Sequence, residues 1–194
     1  MPEKLKVVLV DDDPGRTAIL EQALGDAGYR VIARLPSCDQ LNAEIARLQP
    51  DVIIIDMESP GRDILEHMQT ITNERPKPIV MFANQSDSGT IEKAIKAGVS
   101  AYIVDGLNAA RVKPIIEVAI ARFREYHALR QELQDTKAKL SERKLIERAK
   151  GILMEKRDMA EDEAYKALRK MAMDRNIRLV QAAENIIAVA DLLG

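Results

Sequence analysis

Five short runs rich in valine and isoleucine recur along residues 1–107, and amphipathic segments separate them. Each run is short enough for a buried parallel strand, whereas the segments between them carry apolar residues at helical spacing. Glycine and proline residues lie at the junctions. The alternation predicts a doubly wound α/β domain with right-handed crossovers. The predicted strands are Lys6–Val10, Arg30–Arg34, Val52–Ile55, Ile79–Phe82 and Ala101–Val104.

The rest of the chain shows helical patterns and no further strand signal. Residues 109–150 predict one long helix, and apolar residues recur in a heptad-like pattern at Tyr126, Leu129, Leu133 and Leu140. This pattern favours a coiled coil, with a helix packed against its own domain as the alternative. Three apolar faces within residues 145–194 predict short helices that close a small bundle, which the long helix extends.

Composition excludes several classes of protein. The chain has 194 residues, of which 46% are hydrophobic, but no stretch approaches the ~20 apolar residues that span a bilayer. The N-terminus has no secretory signal, and the single cysteine, Cys38, permits no internal disulfide. We therefore expect a cytoplasmic protein without a membrane partner. Residues 143–178 hold 11 basic and 7 acidic side chains, which indicates either an anionic partner or a solvated helical surface.

Aspartates follow two of the predicted strands. Asp11, Asp12 and Asp13 come directly after the first strand, and Asp56 follows the third. These strands are neighbours in a sheet of order 2-1-3-4-5, so Asp11, Asp12 and Asp56 should converge in one crevice. Converging carboxylates favour Mg²⁺, and a carboxylate beside it can attack a phosphoryl group. The alternative is that these aspartates cap the following helices.

These residues resemble the receiver domain of two-component response regulators. The resemblance covers about residues 5–122, within a first domain at 1–122, and rests on the segment from Val8 to Pro14 and on the segment around Asp56. It implies a flavodoxin-like fold and a phosphorelay in which Asp56 is the phosphoacceptor. It also implies a Mg²⁺ site formed by Asp11, Asp12, Asp56 and the backbone carbonyl of Glu58.

Two positions depart from the receiver pattern. Ala83 stands where receivers usually place threonine or serine, and Asp105 stands where they usually place lysine. The missing hydroxyl would bind the phosphoryl group, and the missing ammonium would neutralise its charge. The sequence therefore predicts weak switching by phosphorylation at Asp56.

The helical tail resembles the ANTAR domain of the AmiR and NasT antitermination regulators. The resemblance covers about residues 136–194, after a coiled-coil linker at 123–143, and rests on segments around Lys150, Tyr165, Arg169 and Gln181. Segments 78–82 and 98–102 also resemble the nitrate-assimilation branch. Phosphate contacts and base stacking are typical of RNA recognition, and the residues expected near RNA are Arg148, Lys150, Lys156, Arg157, Tyr165 and Arg169.

The resemblance implies a response regulator and not an enzyme. It would bind paired stem-loops in leader mRNA, prevent a terminator from forming and so act on RNA polymerase indirectly. A homodimer through residues 126–147 would match two linked stem-loops. Control would come from a sensor protein, either a nitrate-responsive partner, which the side chains favour, or a histidine kinase. The alternatives are a DNA-binding two-component transcription factor and a dimeric relay or scaffold without a nucleic-acid ligand.

Overall fold

A computed structural model describes residues 4–58, 60–104 and 109–193. Within these residues, five strands form one parallel sheet in the order β2-β1-β3-β4-β5. The predicted doubly wound fold and its strand order are therefore confirmed. The strands are β1 (Lys6–Asp11), β2 (Arg30–Leu35), β3 (Val52–Met57), β4 (Ile79–Ala83) and β5 (Ala101–Val104).

Helices follow the strands and then form the whole tail. None of the helices in the described ranges combines the length and the apolar character that crossing a membrane requires. The helices are α1 (Pro14–Asp26), α2 (Leu41–Leu48), α3 (Arg62–Glu74), α4 (Ser88–Lys96), α5 (Ala109–Arg157), α6 (Glu161–Asp174) and α7 (Leu179–Leu193).

The sheet has a separate apolar core on each face. Alternate residues of a strand point to opposite faces, so Ile53 and Ile55 of β3 pack with α2, α3 and α4, whereas Ile54 packs with α1 and α5. All three side chains are fully buried. This two-sided burial explains why the strands are continuous apolar runs. Because the strands are parallel, their carboxyl ends lie at one edge of the sheet.

The tail is built around a smaller core. The chain divides into two compact units between His127 and Ala128, within α5. In the second unit, the last turns of α5 pack with α6 and α7. The long helix predicted over 109–150 continues without a break to Arg157, so the first of the three bundle helices is the end of α5. Gly151 lies inside this helix, where a single glycine costs only about 1 kcal/mol relative to alanine. The predicted domain limits at 122, 136 and 143 remain predictions.

The four apolar heptad residues lie uncovered on α5. Tyr126, Leu129, Leu133 and Leu140 are each more than half exposed. Packing of this helix face against its own domain, the alternative that the sequence left open, is therefore not observed at these positions. A row of exposed apolar side chains on one helix is typical of a surface that a partner covers.

Candidate functional sites

Two aspartates of the expected cluster lie side by side where β1 and β3 end. Asp11 is the last residue of β1 and is the register partner of Asp56 in β3. Both residues are only 7% exposed. The carboxyl ends of parallel strands are where ligands bind in this type of sheet. The structure thus brings Asp11 and Asp56 together, whereas their roles stay predictions.

Nearby donors hold the Asp11 carboxylate in place. Its Oδ1 accepts a hydrogen bond from the Asp13 N–H at 2.8 Å, and its Oδ2 accepts one from the Thr17 hydroxyl at 2.9 Å. Asp13 itself caps α1, because its Oδ1 accepts from the N–H groups of Gly15 at 2.8 Å and Arg16 at 3.4 Å. Among the aspartates at the strand ends, Asp13 therefore caps the following helix, as the alternative interpretation predicts.

Arg16, for which the sequence patterns predict no role, lies among these carboxylates. Its Nη2 is 3.2 Å from Asp12 Oδ1 and 3.9 Å from Asp11 Oδ1, and its Nε is 3.5 Å from Asp13 Oδ2. The signal for this contact was present, since Arg16 follows Asp12 by four residues and α1 begins between them. Arg16 supplies a positive charge inside the acidic cluster.

The charges of the cluster change the acidity of Asp56. Burial raises the pKa of the Asp56 carboxyl, the positive charge of Arg16 lowers it, and the neighbouring carboxylates raise it further, so the pKa lies above its ordinary value. Burial opposes the charge on Arg16, but four carboxylates raise the pKa of its guanidinium. Asp56 is therefore a buried carboxylate whose charge Arg16 offsets only in part.

The expected magnesium ligands have suitable oxygen atoms, but their side chains are not arranged around a common point. Carboxylate and carbonyl oxygens are the ligands that Mg²⁺ prefers. However, no three Asp, Glu, His or Cys side chains within the described ranges are grouped closely enough to hold a metal ion. The Asp12 side chain is 68% exposed and paired with Arg16, and the Glu58 carbonyl accepts a hydrogen bond from the Asn84 N–H at 3.1 Å.

Ala83 and Asp105 were singled out as atypical switch positions. Ala83 ends β4, is buried and lies beside Met57 of β3 in the sheet register. Its methyl group offers no hydroxyl toward the ends of the neighbouring strands. Asp105 lies outside the described residues.

Lys150, one of the residues expected near RNA, lies in an intramolecular ion pair. Its ammonium group donates to Glu161 Oε1 at 2.7 Å and to Glu147 Oε2 at 2.9 Å, and the residue is only 8% exposed. The hydrogen bonds to Glu161 and Glu147 raise the pKa of Lys150, and the bond from Lys150 lowers the pKa of Glu161. Lys150 thereby joins α5 to the first turn of α6.

The start of α6 has half of a capping arrangement. Glu163 Oε2 accepts a hydrogen bond from the Ala160 N–H at 3.0 Å, whereas Ala160 has no side-chain oxygen to cap the helix in return. Acidic residues fill the first turn, where their negative charges interact favourably with the positive end of the helix dipole. Glu163 thus offsets locally the absence of a side-chain cap at Ala160.

An exposed row runs along α6 and is called here the α6 row. It consists of Tyr165, Arg169 and Met173, which follow one another at intervals of four residues and so share one side of the helix. Tyr165 is 43% exposed and Met173 is 70% exposed. Met173 lies outside the core, because the face of α6 that carries Ala164, Leu168 and Ala172 fills the core instead. The remaining expected RNA contacts that are exposed are Arg148, Lys156 and Arg157.

Comparison with known proteins shows the family. The chain is 34% identical over 183 residues to the transcriptional regulatory protein PdtaR of Mycobacterium tuberculosis, across 94% of this chain and 89% of that protein. Residues 7–117 match the response regulator receiver domain, and residues 134–187 match the ANTAR domain. The chain belongs to the ANTAR response regulators. Both resemblances inferred from the sequence are therefore confirmed.

Two further comparisons bear on the branch and the fold of this ANTAR response regulator. A nitrate regulatory protein of Klebsiella oxytoca is 41% identical over 80 residues, across 41% of this chain and 20% of that protein. The signal receiver domain of a modulated diguanylate cyclase from Desulfovibrio desulfuricans G20 gives a TM-score of 0.56 at 22% identity, over 64% of this chain and 99% of that structure. The second likeness shows the receiver fold alone.

Receiver domains in general bind Mg²⁺ at an acidic pocket, and Asp11 and Asp56 lie at the corresponding strand ends of this ANTAR response regulator.

Two features of the sites were not predicted from the sequence, namely the position of Arg16 and the exposure of Met173. The first depends on a turn between a strand and a helix, and the second depends on which side of α6 faces the core.

Proposed function

We propose that this ANTAR response regulator binds paired stem-loops in leader mRNA and prevents a terminator from forming. The observation that carries the proposal is the α6 row, which presents an aromatic ring, a guanidinium and a thioether together on an exposed helix side. Proteins recognise folded RNA through phosphate contacts and through stacking on unpaired bases. Tyr165 can stack on a loop base, and Arg169 can bind the adjacent phosphate.

Other cations of the tail extend this surface. Lys156 and Arg157 end α5 and are exposed, as are Lys166 and Lys170 beside the α6 row. Such side chains add sequence-independent attraction to phosphates. Arg148 is also exposed, although its Nη2 lies 2.8 Å from Asp191 Oδ1. Because both partners of that pair are more than half exposed, Arg148 can exchange the carboxylate for a phosphate at little cost.

Lys150 has a different part in the proposal. Its ammonium already has two carboxylate partners and little exposure. We therefore assign it to the RNA-binding unit as a positioning residue, since its bond to Glu161 fixes the start of α6 and hence the direction of the α6 row. The direct contacts fall to Tyr165 and Arg169.

A homodimer provides two RNA-binding units for two stem-loops. The heptad residues of α5 are exposed and apolar, and a second copy of the same helix would cover them in a coiled coil. Two linked binding units on two linked stem-loops gain affinity through effective concentration. The observation in support is the exposure of Tyr126, Leu129, Leu133 and Leu140 on a helix that continues into the tail.

Control by a partner protein fits the receiver better than control by phosphorylation alone. Ala83 lacks the hydroxyl that would bind a phosphoryl group, and Asp56 already lies among several carboxylates. A nitrate-responsive sensor that holds the regulator inactive until its ligand arrives is our favoured partner, and the nitrate regulatory relative supports that branch. A histidine kinase acting on Asp56 is the competing form of control.

The test is a binding assay with the full-length protein at physiological salt. The probes are labelled leader RNAs that each hold two stem-loops, with a duplex DNA of matched length. Tyr165→Ala should weaken RNA binding about tenfold or more through lost stacking, and Arg169→Gln should reduce the salt dependence by about one phosphate contact. Lys113→Gln, which removes an exposed cation from the receiver part of α5, is the matched control.

Each outcome separates the alternatives. Selective RNA binding that Tyr165→Ala weakens and Lys113→Gln leaves unchanged supports the proposal. Equal or tighter binding to duplex DNA contradicts it and favours a DNA-binding transcription factor, and no binding to either nucleic acid favours a relay or scaffold. Adding an acyl-phosphate donor, with Asp56→Asn as control, tests the switch. RNA binding that requires both Asp56 and the donor would overturn control by a partner.

A further inference from the structure

The Arg16 guanidinium lies against carboxylates that are expected to bind a divalent cation. Its guanidinium contacts Asp12 at 3.2 Å, approaches Asp11 to 3.9 Å and Asp13 to 3.5 Å, and acts electrostatically on Asp56. Two of the proposed Mg²⁺ ligands, Asp11 and Asp12, are thus the nearest partners of its Nη2. The site is built around a cation that belongs to the protein.

The guanidinium is held by charge more than by hydrogen bonds. Its Nη2 donates one hydrogen bond to Asp12 Oδ1, but its Nε is shielded from solvent and has no hydrogen-bond partner among the described residues. A shielded donor without an acceptor costs free energy. Arg16 nevertheless keeps this position, because the attraction of several nearby carboxylates outweighs that cost.

We propose that Arg16 is a built-in counterion of the acidic pocket, and that Mg²⁺ binds there only by displacing its guanidinium. The two cations cannot share the pocket, since both need Asp12 and would repel each other at short range. Displacement is open to Arg16, because it lies in the first turn of α1 and its side chain is 34% exposed. The affinity of the pocket for Mg²⁺ is therefore set by competition with Arg16.

The proposal explains two features of the pocket. The three carboxylates expected around a cation are not grouped as a metal site within the described ranges, because Asp12 is paired outward with Arg16. The pocket is also partly neutralised without a metal, so the receiver fold tolerates the adjacent carboxylates of Asp11 and Asp56. Neither the proposal nor its test depends on RNA binding.

The test measures metal binding by the full-length protein. Mn²⁺ is the probe, because its electron paramagnetic resonance signal reports the free ion, and Mg²⁺ competes it off the site. Arg16→Gln keeps the length of the side chain and removes its charge, so it should bind Mn²⁺ about tenfold more tightly than the unaltered protein. Arg34→Gln is the matched control, since it removes the same charge from the same domain at a residue paired with Glu21.

Further variants locate the gained affinity. Adding Asp12→Asn to Arg16→Gln should abolish the gain, since it removes a proposed ligand of the metal. Equal affinity of Arg16→Gln and Arg34→Gln, or weaker binding by Arg16→Gln than by the unaltered protein, would overturn the proposal. Retention of the gain after Asp12→Asn would also overturn it, because the metal would then bind elsewhere.

A second measurement needs no variant and stays decisive if Arg16→Gln fails to fold. The Nε–H of Arg16 is shielded from solvent, so its proton resonance should exchange slowly with water in the absence of Mg²⁺. Saturation with Mg²⁺ should release the guanidinium and restore fast exchange. A slowly exchanging Nε–H that persists when the pocket holds Mg²⁺ would show that the two cations bind together, contrary to the proposal.

Discussion

The receiver domain and the ANTAR domain fill their cores with different side chains. The largest fully buried side chains, such as Phe82, Ile54 and Leu9, lie in the receiver. Among the described residues of the ANTAR domain, the buried core consists of Ala149, Ala164, Ala172, Ala182 and Ala183 together with the larger side chains of Leu153, Leu168 and Ile187. Small residues let helices approach closely, but they remove little apolar area from water. We therefore expect the helical ANTAR domain to be less stable than the receiver domain.

The largest expected effect comes from Leu168. Its side chain is fully buried in the ANTAR core, and truncating a buried leucine to alanine costs about 2–5 kcal/mol. We expect Leu168→Ala to unfold the ANTAR domain at a temperature where the receiver stays folded, as two separate transitions in calorimetry. Ile54→Ala is the receiver control and should lower the other transition. A single transition that shifts as a whole in both variants would contradict the comparison.

A substitution at Gly98 should destabilise the receiver domain through the conformation of the backbone. Its φ is +102°, and a Cβ at this position would lie 2.0 Å from Thr72 Oγ1, so Gly98→Ala combines backbone strain with a steric clash. We expect a loss of about 1–3 kcal/mol in the free energy of unfolding of the receiver, measured in urea. Gly25→Ala is the control, because a Cβ there meets nothing within 4 Å and should stabilise α1 slightly. Equal effects of the two substitutions would contradict the prediction.

Asp56 makes the stability of the receiver domain depend on pH. Its pKa is raised in the folded protein, mainly by burial, so the charged carboxylate disfavours folding at neutral pH. Since the folded pKa exceeds the unfolded one, this cost is present above the folded pKa and disappears as the pH falls toward the unfolded value. Asp56→Asn should raise the Tm of the receiver by about 2–4 °C at pH 7 and by less at pH 4. Asp39→Asn, at an exposed carboxylate, should show no such pH-dependent gain.

The smallest expected effect concerns the ion pair between Lys150 and Glu161 in the ANTAR domain. Lys150 lowers the pKa of Glu161, so their bond stabilises the folded state above the unfolded pKa of Glu161 and is lost as the pH falls through its lowered folded value. Circular dichroism melts between pH 6 and 3 should show the ANTAR transition weakening in acid. Glu161→Gln should remove part of that dependence, and an unchanged acid profile would show that the bond contributes nothing measurable.

Sequence patterns predicted the features that depend on neighbours along the chain. The period of apolar residues identified five strands and the long helix, and the two domain families were recognised from local motifs. The patterns could not predict that Lys150 pairs with Glu161. The spacing of four residues indicated the contact of Arg16 with Asp12, but not that Arg16 also approaches Asp11 and Asp13. A charged side chain has the same signature in sequence whether it faces solvent or a carboxylate of another element.

The amino-acid sequence by itself determined the number and type of the elements in the first domain, the burial of both sheet faces and the placement of aspartates at strand ends, because the period of the apolar residues specifies which residues must leave water. Only the tertiary structure decided which charges meet and which apolar residues stay exposed. Met173 lies outside the core although its type suits burial, and Lys150 lies largely buried although its type suits solvent. The physical reason is that pairing and exposure depend on distances between elements, which the order of residues within one element does not fix.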